Sequence, residues 1–246
     1  MITFKQFIDE STNDKGVLKA IFVVGIPGAG KTYTISQING RIAPKLVTMD
    51  TAAEYLIKKL GIPSTDETWP KIVDTARKMT LGSLYSYVNG VLPLFVDGTL
   101  NDISNVQSRI NILEDIGYDI GMVYVHADLY TAKSRAVARA KVNGRHVSDD
   151  FIEKTHAVSE KNKELFMNRF SFYKEVDNSS GAMDNEALLK IYRAAQGFYS
   201  EPVKNERGQG VLEKLKSEKQ GYLVPTIYQK EDLAEKLAGW YKGGRK

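Results

Sequence analysis

The sequence of 246 residues contains no cysteine. Disulfide bonds, thiolate nucleophiles and metal sites built on thiolates are therefore excluded, and this composition suits a reducing compartment. Long hydrophobic runs are also absent, because no stretch approaches the ~20 apolar residues that a membrane-spanning helix needs. We therefore expect a soluble, cytoplasmic protein with no membrane partner.

A strong excess of charge of one sign is missing as well. The formal net charge is +4, and residues 204–246 carry ten Lys or Arg against six Asp or Glu, so the first 203 residues are neutral overall. A neutral surface lacks the broad basic footprint of a nucleic-acid-binding domain. Residues 204–246 are interpreted as a basic C-terminal appendage, and any contact with a nucleic acid is expected there.

Short apolar runs alternate with segments of helical periodicity over the first 200 residues. Four runs have the length of buried strands and a fifth is weaker: Ala20–Val24, Leu46–Met49, Leu92–Val96, Gly121–Val125 and Phe172–Val176. Strands that alternate with helices favour an α/β fold with a five-stranded parallel sheet flanked by helices. We place this domain at residues 18–203 and a leader or amphipathic helix at residues 1–17.

The first predicted strand is followed by GIPGAGKT, residues 25–32, which matches the pattern G-x-x-x-x-G-K-[ST] between a strand and a helix. Glycines let backbone N–H groups converge on phosphate oxygens, and the helix adds its positive end. Lys31 is predicted to bridge the β- and γ-phosphates, and the Thr32 hydroxyl to ligate Mg²⁺. The predicted nucleotide-binding residues are Gly25, Ile26, Pro27, Gly28, Ala29, Gly30, Lys31, Thr32 and Tyr33. This pattern predicts a P-loop NTPase fold that binds ATP or GTP with magnesium.

Carboxylates end two further predicted strands, where ligands bind in parallel sheets. Asp97 ends LPLFVD, which has the form of a Walker B strand, and is a candidate for the magnesium shell or for an attacking hydroxyl. Asp50 ends LVTMD just before a predicted helix. It is interpreted either as a helix N-cap or as the general base that orients the acceptor, and the two roles are compatible.

Arginines follow the fourth predicted strand. Arg135 and Arg139 are four residues apart and share a helix face, whereas Arg145 lies in a loop that contains Gly144. Guanidinium groups are suited to stabilising the charge on a phosphoryl group in transfer. The alternative is an ordinary solvated basic helix, but the spacing favours a phosphate contact by at least one of the three.

Taken together, these motifs resemble the zeta-toxin-like branch of the P-loop kinases, a broad group that also includes the polynucleotide 5′-hydroxyl kinases. The resemblance covers about residues 18–200. The motifs that carry it are GIPGAGKT, the strand ending in Asp50, FVDGT at 95–99, Arg135-x-x-x-Arg139 and GRHV at 144–147. The segment between Tyr55 and Asn89, where the acceptor would bind, matches nothing that we can place.

This resemblance implies a kinase that transfers the γ-phosphate to a hydroxyl of a small acceptor such as a nucleotide sugar. It implies that Asp50 activates that hydroxyl. It also implies that Asp97 and Thr99 line the magnesium or acceptor side. Arg135, Arg139 and Arg145 would form the LID, the group of arginines that closes over the phosphates. A polynucleotide 5′-hydroxyl kinase is the alternative, and the basic residues 204–246 keep it open.

The two ends of the chain carry weaker patterns. MITFKQFIDE resembles the capsid-targeting leaders of internal head proteins of large tailed bacteriophages, which implies cleavage after Glu10 and association with a phage capsid. An N-terminal helix packed on the core is the alternative. Between Asp232 and Tyr241, apolar residues form one helical stripe, which favours a helix docked on its own domain over a partner-binding helix.

Two other functional classes compete with a kinase. A regulatory GTPase is disfavoured because the sequence has no Asn-Lys-x-Asp guanine motif. A packaged phage protein that binds nucleotide without turnover stays open. Transfer is the favoured prediction, because a switch requires neither the acceptor-side carboxylate nor the arginine cluster.

Overall fold

A computed structural model describes residues 14–61, 67–143, 147–179, 184–217 and 228–241. The predicted leader up to Glu10 and the predicted LID residue Arg145 lie outside these ranges. Within them, strands and helices follow one another in this order: β1 (Lys19–Val24), α1 (Lys31–Ile38), β2 (Lys45–Val47), α2 (Met49–Leu60), α3 (Trp69–Asn89), β3 (Leu94–Gly98), α4 (Ile103–Ile116), β4 (Asp119–His126), α5 (Leu129–Asn143), α6 (Asp149–Met167), β5 (Tyr173–Asp177), α7 (Asn185–Ser200), α8 (Glu206–Ser217) and α9 (Lys230–Ala238).

The five strands form one sheet in the order β2-β3-β1-β4-β5, and every neighbouring pair is parallel. The predicted α/β fold with a five-stranded parallel sheet is therefore confirmed. Strand β1 lies between β3 and β4, so the chain leaves it in one direction for β2 and β3 and in the other for β4 and β5. The carboxyl end of β1 is thus a topological switch point, where ligands bind in open α/β sheets.

The apolar core occupies both faces of the sheet. Successive side chains of β1 point to opposite faces: Ala20, Phe22 and Val24 belong to one hydrophobic cluster, and Ile21 and Val23 to another. Helices cover both clusters, which is why the central strands are apolar on both sides. No helix in the described residues is long and apolar enough to cross a bilayer.

The described part of residues 204–246 packs on the domain. Leu233, Leu237 and Trp240 are buried in the same cluster as Phe22 of β1, and α9 lies against α3. The apolar stripe of α9 is thus covered by the chain's own core, as the docked-helix interpretation predicts. A domain boundary at residue 204, which rests on composition, stays a prediction. Residues on both sides of this boundary belong to one hydrophobic cluster.

Candidate active site

The loop between β1 and α1 makes close backbone contacts on two sides. Gly28 has φ +84°, and a Cβ there would lie 2.1 Å from the Ala132 carbonyl oxygen. Gly30 has φ +94°, and a Cβ there would lie 2.2 Å from Asn178 Nδ2. Only glycine fits either position without strain. The loop is thereby held against α5 and the turn after β5.

Helix α1 begins directly after this loop, and its first turn carries no side-chain cap. Its first backbone N–H groups therefore face the loop, which is the geometry in which helix ends bind phosphate. Thr32 and Tyr33, both predicted to contact the nucleotide, have exposed side chains in this first turn. An exposed hydroxyl and ring at this place are accessible to a ligand above the loop.

Lys31 lies over the loop beside Asp97. Its Nζ donates to the carbonyl oxygens of Gly25 at 3.1 Å and Ile26 at 3.3 Å, and it lies 3.9 Å from Asp97 Oδ1. Asp97 is the last residue but one of β3, where it pairs in register with Val23 of β1. The structure therefore brings the predicted phosphate-binding lysine and the predicted Walker B carboxylate together.

A second carboxylate, Asp50, lies in the first turn of α2. The N-cap of this helix is Thr48, whose Oγ1 accepts a hydrogen bond from Asp50 N at 3.2 Å and donates one to Asp97 Oδ2 at 3.0 Å. The interpretation of Asp50 as the N-cap is wrong, because the helix begins at Met49 and Thr48 holds the capping position. The role of Asp50 as an acceptor-facing base stays a prediction.

Arg139 and Asp50 meet from opposite halves of the sheet. Arg139 belongs to α5, which follows β4, and its Nη1 lies 3.8 Å from Asp50 Oδ2. Both side chains are about one-third exposed, at 34% and 32%. Both groups are therefore accessible to a ligand.

Arg135, one turn earlier on α5, makes different contacts. Its Nη1 donates to the Asn178 carbonyl oxygen at 2.9 Å and its Nη2 to Asn178 Oδ1 at 3.3 Å. Asn178 Nδ2 in turn donates to the Ala29 carbonyl oxygen at 2.7 Å. Arg135 is thus joined to the P-loop through one buried side chain. The sequence motifs predicted no role for Asn178, although its place after the last strand offered a signal.

Two short turns beside Asn178 are linked by hydrogen bonds. Ser179 donates from its backbone N and its hydroxyl to Asp177 Oδ1, and these bonds lower the pKa of Asp177. Ser179 Oγ also accepts a bond from Asp128 N at 3.0 Å. The turn after β5 and the start of α5 are therefore braced together next to the P-loop.

Thr99 is less closely tied to these residues. Its hydroxyl donates to Asn101 Oδ1 in the loop that leads from β3 to α4. The side chain is partly buried, two residues beyond Asp97. Its predicted place on the magnesium or acceptor side stays a prediction.

Two histidines and a glutamate meet near the carboxyl end of β4. His126, His156 and Glu160 each offer a ligand atom, and these atoms lie within 4.8 Å of one another. Glu160 is already engaged by Tyr124 Oη at 2.9 Å and by Lys163 Nζ at 3.1 Å. Burial alone would raise the pKa of Glu160, but hydrogen bonds from Tyr124, His126 and Lys163 outweigh burial and lower it. Glu160 Oε1 also lies 2.6 Å from His126 Nδ1, so this carboxylate already has three polar partners.

Solved structures with similar folds are distant in sequence. A kinase-like protein from Chloroflexus aurantiacus is 18% identical over 72% of this chain and 97% of its own, with a TM-score of 0.50. A chain of the Pnkp1/Rnl/Hen1 RNA repair complex is 18% identical over 63% of this chain and 48% of its own, with a TM-score of 0.49. A chain of the PezAT toxin–antitoxin system of Streptococcus pneumoniae is 18% identical over 87% and 93%, with a TM-score of 0.48. At these identities the likeness concerns the fold alone.

Sequence comparison at the family level is more specific. No curated protein matches the sequence. A family model described as AAA domain matches residues 21–162, which run from β1 through the P-loop, Asp50, Asp97 and α5 into α6. Because this match covers more than half of the chain, the protein belongs to the AAA domain family (AAA_33).

Proposed function

We propose that this protein is a magnesium-dependent kinase that transfers the γ-phosphate of ATP or GTP to a hydroxyl of a small acceptor such as a nucleotide sugar. The observation that carries the proposal is the pairing of Asp50 with Arg139 at 3.8 Å. A hydrolytic switch has no need of an acceptor-facing carboxylate after the second strand, whereas a kinase needs a base for the attacking hydroxyl.

The nucleotide's phosphates are assigned to the loop and to the N-terminus of α1. On binding, Lys31 Nζ would exchange its bonds to the carbonyl oxygens of Gly25 and Ile26 for bonds to phosphate oxygens. The exchange keeps the ammonium group hydrogen-bonded in both states. It therefore costs less than ordering a lysine that has no partners before the nucleotide arrives.

Magnesium fits the oxygen atoms that the site offers. Asp97 supplies a carboxylate and Thr32 an exposed hydroxyl, and both are hard oxygen ligands of the kind that Mg²⁺ prefers. Bound there with phosphate oxygens, the ion would neutralise charge on the β- and γ-phosphates. The hydrogen bond from Thr48 holds Asp97 in place for this role.

In the transfer step, the acceptor hydroxyl gives its proton to Asp50 while its oxygen forms a bond to the γ-phosphorus. The bond from that phosphorus to the β–γ bridging oxygen breaks, and the nucleoside diphosphate leaves. Arg139 lies beside Asp50 and is assigned to the charge on the equatorial oxygens. Arg135 contacts the P-loop through Asn178 and is assigned mainly to positioning the loop.

The test is transfer from labelled ATP or GTP to a panel of hydroxyl acceptors, read by mass spectrometry. We expect Lys31→Ala and Asp50→Asn each to lower transfer by at least about 100-fold. Asp50→Asn should still bind nucleotide in calorimetry, because Asp50 is not among the groups assigned to the phosphates. The matched control Asp150→Asn changes an 82% exposed carboxylate on α6 and should leave transfer unchanged. Full transfer by Asp50→Asn would refute the base assignment.

A polynucleotide 5′-hydroxyl kinase is the second candidate. Its support is the location of the chain's excess positive charge in residues 204–246, whose last described residues pack on the domain near Asp97. A 5′-hydroxyl oligonucleotide therefore belongs in the acceptor panel. Transfer to it that weakens steeply as salt concentration rises would favour this candidate over a small acceptor.

The contrasting proposal is a packaged phage protein that binds nucleotide without turnover. It predicts a rise in melting temperature with ATP and Mg²⁺ but transfer to no acceptor in the panel. Cleavage after Glu10 belongs to the same proposal. It would appear as a new N-terminus at Ser11 in protein recovered from virions.

A further inference from the structure

Three residues that are distant in sequence meet at one place near Asp97. The guanidinium of Arg109, on α4, lies 4.9 Å from the centre of the Tyr241 ring, and that of Arg77, on α3, lies 5.4 Å from the same ring. Arg109 Nε also donates to the Trp240 carbonyl oxygen at 3.1 Å. Tyr241 and Trp240 follow α9, so the end of the described chain brings the two cations together.

Within the described part of the chain, neither arginine forms a salt bridge, and Arg77 Nε is buried without a hydrogen-bond acceptor. Burial is the largest influence on the pKa of Arg109 and lowers it, and the Arg77 charge acts in the same direction. The charges of Tyr241, Asp97 and Asp102 act in the opposite direction but do not outweigh burial. Two neighbouring, partly desolvated cations are unfavourable unless an anion joins them.

The arginine pair lies on the half of the sheet that carries the acceptor-facing groups. A Cβ on Gly98, the residue after Asp97, would lie 4.0 Å from Arg109 Nη1. Helices α3 and α4 follow Asp50 and Asp97 in the chain, whereas the nucleotide's phosphates are assigned to the P-loop and α1. The pair is therefore close to the reacting groups without belonging to the nucleotide's own phosphate site.

Tyr241 is held at this place by a hydrogen bond to α3. Its side chain is hydrogen-bonded to Thr80, whose Oγ1 lies 2.8 Å from the Ala76 carbonyl oxygen and 3.4 Å from that of Thr48. Thr48 is also the residue that donates to Asp97 Oδ2 at 3.0 Å. Thr80 therefore lies between Tyr241 and the residue that holds Asp97.

We propose that Arg77 and Arg109, held by Tyr241, bind a phosphate group of the acceptor, so that this kinase acts on an acceptor that is already phosphorylated. Each guanidinium offers planar pairs of N–H donors that match phosphate oxygens. The residues from Tyr228 to Tyr241 then form part of the acceptor site. This inference rests on the proposed kinase function, since it concerns the same cleft.

The first test measures phosphate binding without turnover. The P-loop is filled with a non-hydrolysable ATP analogue and Mg²⁺, and inorganic phosphate is then titrated by calorimetry. We expect the wild type to bind phosphate, and Arg77→Gln and Arg109→Gln to bind it at least about tenfold more weakly. The control Arg193→Gln alters an exposed arginine on α7 and should bind phosphate as the wild type does. The subsite would be overturned if the wild type bound no phosphate, or if both Gln variants bound phosphate as tightly as the wild type.

The second test compares a phosphorylated acceptor with its neutral counterpart, UDP-N-acetylglucosamine with N-acetylglucosamine. The preference for the phosphorylated compound, as a ratio of kcat/KM values, should fall at least about tenfold in Arg77→Gln. Arg77→Gln is the informative variant, because Arg109→Gln also loses the bond to Trp240. Melting temperatures of both variants show whether the fold persists.

The two proposals fail in different ways. If the wild type transfers phosphate to no acceptor, the kinase function is refuted, and the phosphate titration still decides the subsite. If the wild type transfers phosphate with an unchanged preference in Arg77→Gln, the subsite is refuted and the kinase function stands.

Discussion

At the scale of single residues, Asn178 connects three parts of the nucleotide site. Its side chain is 4% exposed, donates to the P-loop at Ala29 and accepts from Arg135, while its backbone N donates to the His126 carbonyl oxygen at 2.9 Å. An amide suits this position because it presents a donor on one side and an acceptor on the other. Neither Asp nor Leu offers both.

We expect Asn178→Ala to lower the free energy of unfolding by about 1 to 3 kcal/mol, because it leaves the buried Ala29 carbonyl without its donor. Nucleotide affinity should fall as well, since that carbonyl lies in the loop that holds the phosphates. Asn178→Asp keeps the contact with Arg135 but sets a carboxylate against the Ala29 oxygen, so it should weaken nucleotide binding further. Denaturant titration and calorimetry with ATP measure the two effects.

The matched control for this prediction is Asn185→Ala, at the exposed start of α7. It should change the unfolding free energy by less than about 0.5 kcal/mol. If Asn178→Ala behaved like Asn185→Ala in both measurements, Asn178 would be a bystander to the site.

Residue identity alone did not separate the two arginines of α5. Both fit the same helical spacing, yet Arg139 faces Asp50 while Arg135 is bonded to Asn178, which lies 43 positions later. Which partner each arginine contacts depends on how the sheet places the residues after β2 and β5 around α5, and no local pattern encodes that. The meeting of Arg77, Arg109 and Tyr241 likewise depends on contacts between distant segments, so it was not predicted.

At the scale of elements, the strands were the most predictable part of the fold. Runs such as Ala20–Val24 are apolar on both faces because parallel strands are covered on both sides, and this leaves a clear pattern. Boundaries were less predictable: the run Leu46–Met49 extends past the end of β2, because Thr48 caps a helix that begins at Met49. A capping hydroxyl competes with strand continuation, and the apolar pattern alone cannot show which one prevails.

One contact between elements joins the start of the sheet to the chain that enters α8. Lys19 of β1 is 1% exposed and donates to Asp119 Oδ2 at 2.7 Å and to the Pro202 carbonyl oxygen at 3.0 Å. Asp119 also accepts backbone bonds from Lys204 N and Asn205 N, each at 2.8 Å. The Asp119 carboxylate therefore pairs with one buried cation and also accepts two backbone hydrogen bonds from the segment that leads to α8.

We predict that Asp119→Ala lowers the free energy of unfolding by about 3 to 5 kcal/mol, because it leaves the buried Lys19 ammonium without its counter-ion. Lys19→Met should cost less, since Asp119 keeps two backbone donors and is partly exposed. The control is Asp115→Ala, which breaks an exposed pair with Arg207 at the same connection and should cost about 0 to 1 kcal/mol. Denaturant titration ranks the three variants, and equal losses for Asp119→Ala and Asp115→Ala would contradict the prediction.

At the scale of the whole molecule, two buried tyrosines link the two faces of the sheet to the start of β3. Tyr118 belongs to one hydrophobic cluster and Tyr199 to the other. Tyr118 Oη donates to the Leu92 carbonyl oxygen and Tyr199 Oη to the Leu94 carbonyl oxygen, each at 3.0 Å. The bonds flank Pro93, which has no N–H of its own to offer the sheet. Neither phenol can reach water unless its face of the core opens.

Burial raises the pKa of both Tyr118 and Tyr199 well above the ordinary value of about 10. Below that pH both phenols are neutral in the folded and the unfolded chain, so they cause no pH dependence. Above it the unfolded chain loses these protons and the folded chain does not, so stability falls as pH rises, by up to about 1.4 kcal/mol per pH unit for each tyrosine. We therefore expect the tyrosinate absorbance of these two residues to appear only together with loss of the near-UV circular dichroism of the folded state.

The double variant Tyr118→Phe/Tyr199→Phe isolates this effect. It should lose some stability near neutral pH, because two carbonyl groups lose their donors, but its stability should decline less steeply than that of the wild type between pH about 10 and about 12. Tyr130→Phe, which changes an 84% exposed phenol, should follow the wild-type slope. Denaturant titrations at several pH values give the slopes. If the stability of the wild type and of the double variant declined with the same slope, the two phenols would ionise equally in the folded and the unfolded chain, and the prediction would be wrong.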